Sequence, residues 1–118
     1  MKRNHRNLRA WQQAVELVSA TYHLTASFPE AERYGLTSQM RRAAVSVPAN
    51  IAEGAARSGT KELLHFLSIA SGSLSELDTL AELAAKLGFI ADAKQIQEQM
   101  DDVAGLIMGL SASLKRRS

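Results

Sequence analysis

Leu63, Leu67, Ala70, Leu74, Leu77, Ala81 and Ala84 follow one another at intervals of three and four without a break. This spacing stacks seven small or aliphatic side chains on one face of an α-helix and is incompatible with a strand, whose faces alternate every two residues. Phe66, Ile69, Leu80, Leu83 and Leu87 flank the seam. So wide an apolar arc predicts a helix covered on more than one side, either centrally in a bundle or against another subunit. Ser58-Gly59-Thr60 and Gly88 are its start and stop signals.

Three further segments repeat the pattern. Leu8, Trp11, Val15, Val18 and Tyr22, widened by Ala14, Leu17 and Leu24, predict a helix that stops at Phe28-Pro29. Leu36, Met40, Ala43, Val47 and Ile51 predict a second, with Thr37 or Ser38 as its cap. Pro48 has no amide for the Ala44 carbonyl, so this helix is expected to bend there and not to end. Ala93, Ile96, Met100, Val103, Ile107, Leu110 and Leu114 form the last apolar face, opposite the polar Asp92, Lys94, Gln97, Asp101 and Asp102.

The expected helices cover about 8–27, 37–57, 60–87 and 91–115. Connections of about two to eight residues force neighbours to run antiparallel. The fold class is therefore all-α: an up-down-up-down antiparallel four-helix bundle, one domain over residues 1–118. With one Trp, two Tyr and three Phe, its core must be largely Leu, Ile, Val and Ala. No cysteine is present, so there is no disulfide or thiolate metal site and packing alone must hold the domain, which suits a reducing cytoplasm. No continuous apolar run follows the basic opening segment, so neither secretion nor a membrane span is expected.

Fourteen Lys and Arg against twelve Asp and Glu leave a formal charge of only +2, but the expected topology redistributes it. The start of helix one, the turn between helices two and three and the end of helix four should share one pole. Lys2, Arg3, Arg6, Arg9, Arg57, Lys61, Lys115, Arg116 and Arg117 put nine cations there; Glu53 and Glu62 reduce them to a local +7. Residues 62–114 hold eight acids against Lys86 and Lys94. A basic cap of this kind suits phosphate neutralisation. It is also what a helix C-terminal dipole and a solvated N-terminal arm would carry without any ligand. Trp11, Tyr22 and Phe66 fall on core faces and read as packing residues, not stacking platforms.

Catalytic patterns are sparse. Glu62 and His65 form one Glu-x-x-His, but a carboxylate-bridged metal pair needs a second such pair and two more glutamates, and helix four has no histidine. No serine stands in a glycine-flanked elbow or a phosphate loop. Ser68, Ser71, Gly72 and Ser75 instead form a ridge of small residues suited to close helix approach. Asn50, Glu53, Gly54 and Arg57 share a face just after Pro48, with Glu53 and Arg57 spaced for an ion pair. Arg41 and Arg42 point about 100° apart, so at most one can follow that face.

The run from Tyr34 to Gly54 (YGLTSQMRRAAVSVPANIAEG), preceded by Ala10-Trp11-Gln12 and Phe28-Pro29, resembles the four-helix bundle proteins encoded in intervening sequences of bacterial 23S ribosomal RNA genes. The segment from Phe66 to Leu77 is similar to that family's helix-three signature, and the likeness spans about residues 8–90. The resemblance implies a homo-oligomer, commonly a pentamer, without enzymatic activity or cofactor. It also implies kinship with accessory proteins of diversity-generating retroelements, which bind nucleic acid through a basic surface. Carried over by position, Arg41, Arg42, Pro48, Asn50, Glu53, Gly54 and Arg57 are signature residues, and the helix-three ridge packs tightly. Leu63 and Gly59 depart from the family's usual aromatic and serine.

Together these readings lead to a cytoplasmic, non-enzymatic oligomer that engages RNA or another nucleic acid. Arg3, Arg6, Arg9, Arg57, Lys61, Arg116 and Arg117 are the expected phosphate contacts, and a protein-interaction scaffold is the alternative.

Overall fold

A computed structural model describes residues 3–117. Its α-helices are α1 (Arg9–Thr25), α2 (Leu36–Ala56), α3 (Thr60–Lys86) and α4 (Lys94–Arg117), with short 3₁₀ turns at Asn4–Asn7 and Glu30–Glu32 and no strand among the described residues. Each helix begins and ends within about three residues of its expected bounds. No helix among the described residues is long and apolar enough to cross a membrane.

α1 packs on α2 and α4, and α3 packs on the same two, while the backbones of the diagonal pairs stay farther apart. Neighbours run antiparallel. Across α2 and α3, Ser46 meets Ser73 and Gly54 faces Phe66; across α3 and α4, Gln97 donates to Asp78 and Glu82. Phe28, in the α1–α2 connection, lies 5.6 Å from Phe89, in the α3–α4 connection, ring centre to ring centre. These two connections therefore share one pole, which leaves the α2–α3 turn, the start of α1 and the end of α4 at the other.

Helix ends are set by contacts that spacing alone does not show. At the start of α2, neither Thr37 nor Ser38 caps: Glu32 Oε1 accepts from the Leu36 amide at 3.0 Å. The Glu30–Glu32 turn carries this carboxylate over the helix start, where it satisfies an orphan amide and complements the dipole. α3 ends on Gly88, at φ +81°, with the Phe89 amide bonded to the Ala84 carbonyl and the Gly88 amide to the Ala85 carbonyl. That pair of bonds requires a left-handed residue, which glycine supplies at no steric cost. α4 starts at Lys94, later than expected, because Asp92 Oδ1 accepts the Lys94 amide and holds the preceding residues in a turn.

The buried face of α1 differs from the expected stripe. Ala10, Ala14, Leu17, Thr21 and Thr25 point inward, whereas Val15 and Tyr22 are exposed, Tyr22 to 44%. Small residues allow α2 and α4 to approach. The two threonines enter without loss because their hydroxyls donate to the Leu17 and Thr21 carbonyls, each at 2.8 Å. Pro48 is buried inside α2, which continues through it to Ala56. α3 is a corner of the square, not its centre: its seam is buried between α2 and α4, while Ile69, Leu83 and Leu87 remain exposed.

Candidate functional site

At the pole opposite the Phe28–Phe89 contact, α2 runs out at Arg57, whose extended backbone (φ −77°, ψ 159°) turns the chain into α3. Gly54 makes this corner tight. A Cβ at Gly54 would stand 2.7 Å from the Phe66 Cβ and 3.0 Å from Leu63 Cδ1. With that approach, the Arg57 guanidinium lies 5.2 Å from the centre of the Phe66 ring, and its Nη2 donates to Glu53 Oε2 at 2.9 Å. Both members of the ion pair are about half exposed, at 45% and 53%, which limits the pair to a few tenths of a kcal/mol, or about 1 at most.

Phe66 is half-buried and lies outside the hydrophobic core, which Leu63 and Leu64 border at this end. His65 is exposed, its ring edge-on to Phe66 at 5.4 Å. Arg57, Lys61, Glu62, His65 and Phe66 line an open cavity of about 430 Å³. Phe66 thus lines an open cavity beside Arg57 and Lys61, which corrects its expected place in the core.

The N-terminal cations are not on a free arm. Residues Asn4–Asn7 form a turn that packs on α1 and α2; Gln12 Nε2 donates to the Arg6 carbonyl at 2.7 Å. The Arg6 guanidinium stands 5.5 Å from the Trp11 ring centre, and His5 meets the same ring edge-on at 4.9 Å. Trp11 is accordingly half-buried at the margin of the core. Arg3 is exposed and its carbonyl accepts the Arg6 amide. Arg9 sits to the side, lining a groove with Gln13, Asp102 and Leu106. An acid of α4 therefore borders the same groove, which sequence order does not reveal. Arg116 and Arg117 are exposed at the end of α4, where Arg117 Nη2 lies 3.3 Å from Ser113 Oγ. Lys2 lies outside the described residues.

The signature residues are spread over several contacts. Arg41 Nε donates to Thr25 Oγ1 at 2.9 Å and its guanidinium stands 4.5 Å from the Tyr22 ring centre, clamping α2 to α1 away from the basic pole. Arg42 points instead into a groove with Gln39, Ser46 and Glu76, so the two arginines diverge as their spacing requires. Asn50 Nδ2 donates to the Ser46 carbonyl and hydroxyl, and that hydroxyl meets Ser73 Oγ at 2.8 Å. The face shared by Asn50, Glu53, Gly54 and Arg57 is thus divided. Gly54 is buried against α3, Asn50 holds the Ser46 hydroxyl that bridges α2 to α3, and Glu53 and Arg57 face outward.

Ser68, Ser71, Gly72 and Ser75 are all exposed, and a Cβ at Gly72 would meet nothing within 4 Å. The ridge packs on no helix of its own chain; Ser73, beside it, makes the contact to α2 instead. Among the described residues, no three His, Cys, Asp or Glu side chains group as metal ligands would.

What spacing missed is the Arg57–Phe66–His65 cluster. Arg57 belongs to the turn that follows α2 and both rings to α3, so no single-helix periodicity relates them. The one available signal is that Phe66 falls a position off the Leu63–Leu67–Ala70 seam.

The family model described as 23S rRNA-intervening sequence protein matches residues 6–109. That span includes Arg6, Arg9, Arg57 and Lys61 and leaves Arg3, Arg116 and Arg117 outside it. No curated protein matches the chain. With the matched span covering nearly all of α1–α4, the chain belongs to the family of 23S rRNA-intervening sequence proteins.

Proposed function

We propose that this chain is a non-enzymatic homo-oligomer, most simply a pentameric ring, that binds RNA or another nucleic acid through its basic pole. The observation that carries the reading is the Phe28–Phe89 contact. By holding the α1–α2 and α3–α4 connections at one end, it leaves Arg57 of the α2–α3 turn and Lys61 at the start of α3 at the end shared by Arg3, Arg6, Arg116 and Arg117. Arg9 extends that surface along the side. A ring would repeat the patch around its axis and add the charges of several copies to one ligand.

Self-association is supported by the outward side of α3, where Ile69, Leu83 and Leu87 stand uncovered beside the Ser68–Ser75 ridge. Kinship with retroelement accessory proteins, implied by the sequence resemblance, points the same way. The test is a filter-binding titration with RNA at several salt concentrations, alongside native mass spectrometry. A steep fall in affinity with salt, together with a discrete oligomer, is the expected result. A flat salt response, or no binding at low salt, overturns the nucleic-acid reading and leaves an interaction scaffold.

A further inference from the structure

We propose that the cavity between Arg57 and Phe66 holds one unpaired nucleotide, its base against the Phe66 and His65 rings and its phosphate on Lys61 and Arg57. This rests on the nucleic-acid reading above and specifies it: the basic pole prefers single strands or loops to duplex.

Four observations carry it. First, Phe66 is a half-buried ring outside the core, and part of it lines the cavity that a flat ligand would enter. Second, the Arg57 guanidinium beside Phe66 offers a further surface for a base, since bases stack on aromatic and guanidinium planes alike, and the imidazole, at 75° to the Phe66 ring, forms a side wall against the base. Third, Lys61 and Arg57 border the same cavity, so a stacked base would bring its own phosphate to two cations. Arg57 is held by Glu53 only through an exposed pair, weak enough for a phosphate to compete. Fourth, the space is sufficient: about 430 Å³ lies within the range of small-ligand clefts.

Glu62 also lines the cavity and reduces its charge, while offering an acceptor to a base amino group or a ribose hydroxyl. A cavity of equal volume between the end of α1 and the start of α4 is lined by Ala20, His23, Leu24, Asp92 and Ile96, with no Lys or Arg. It lacks the phosphate half of the site. A base inside a duplex has both faces stacked already, so only an unpaired one can enter the Phe66 cavity without breaking a pair. Stacking reads no hydrogen-bonding edge, so the preference should tolerate any sequence.

The experiment measures binding of the full chain to a short single-stranded oligoribonucleotide carrying 2-aminopurine, to the same strand made abasic, and to its duplex. H65A and F66L are compared with the parent; F66L keeps an apolar side chain beside Gly54, and circular dichroism checks that each variant folds. The expected result is about tenfold tighter binding of the single strand than of the abasic strand or duplex, with a change in 2-aminopurine emission on binding. H65A and F66L should each remove most of that preference. Equal, salt-sensitive binding of all three ligands overturns the nucleotide site and leaves the electrostatic reading intact. A single-strand preference unchanged in H65A and folded F66L also overturns it. Binding of none of the three at low salt overturns the proposed function and this site with it.

Discussion

Gly54 lies directly opposite the Cβ of Phe66, so close that a methyl group on Gly54 would stand 2.7 Å from it. Two effects compete in Gly54→Ala. Alanine favours the helix by about 1 kcal/mol. Overpacking at an interface whose nearest atom is a Cβ, not a mobile side-chain tip, costs about 1–3 kcal/mol. Crowding should win, giving a net loss of up to about 2 kcal/mol by these two estimates. Urea unfolding checks this as a lowered midpoint at unchanged slope; a raised midpoint would show that the helices separate easily here.

Glycines in other settings should respond with opposite signs. Gly88 sits at φ +81°, so Gly88→Ala should cost about 1 kcal/mol or somewhat more. Gly105 is exposed within α4, and a Cβ placed there would meet nothing within 4 Å, so Gly105→Ala should add about 0.5–1 kcal/mol. Thermal melts of the two variants should move in opposite directions, and parallel shifts would contradict the assigned backbone roles.

Glu32 is the acceptor for the first amide of α2, so Glu32→Ala should cost about 0.5–2 kcal/mol, as removal of an N-cap does. Ser38→Ala, which removes a hydroxyl that caps nothing, should be close to neutral. Hydrogen exchange at the Leu36 amide distinguishes the two: it should speed up in the first variant only.

Thr25 has two roles at once, donating to the Thr21 carbonyl and accepting from Arg41. Thr25→Val keeps the shape and removes both bonds, one of them to a charged group, for a loss of about 1.5–3 kcal/mol. A double-mutant cycle with Arg41→Met should show coupling of about 1 kcal/mol or more. Additive effects would mean that Arg41 is held by the Tyr22 ring alone.

Much of the architecture is legible from spacing. Leu67, Ala70, Leu74, Leu77, Ala81 and Ala84 are buried as their three-four rhythm requires, and Gly88 ends α3. α1 is less legible, because its apolar residues ring more than half of the helix and hydrophobicity cannot choose among them. The choice falls to Ala10, Ala14 and Thr21, whose small size lets neighbours close in. At the candidate site, the gathering of Arg57 and Lys61 follows from chain order. Their relation to Phe66 and His65 does not, because it depends on how closely α2 and α3 approach.

Periodicity, glycine and proline placement, and the short connections were enough to specify four helices, their order and the antiparallel path, since each acts through contacts a few residues apart. Rotation of each helix about its axis, the folding of the Asn4–Asn7 turn onto Trp11, and the Arg57–Phe66 stack were settled only in three dimensions. These depend on side chains far apart along the chain filling one space together, and no local pattern records which of several apolar faces will fit.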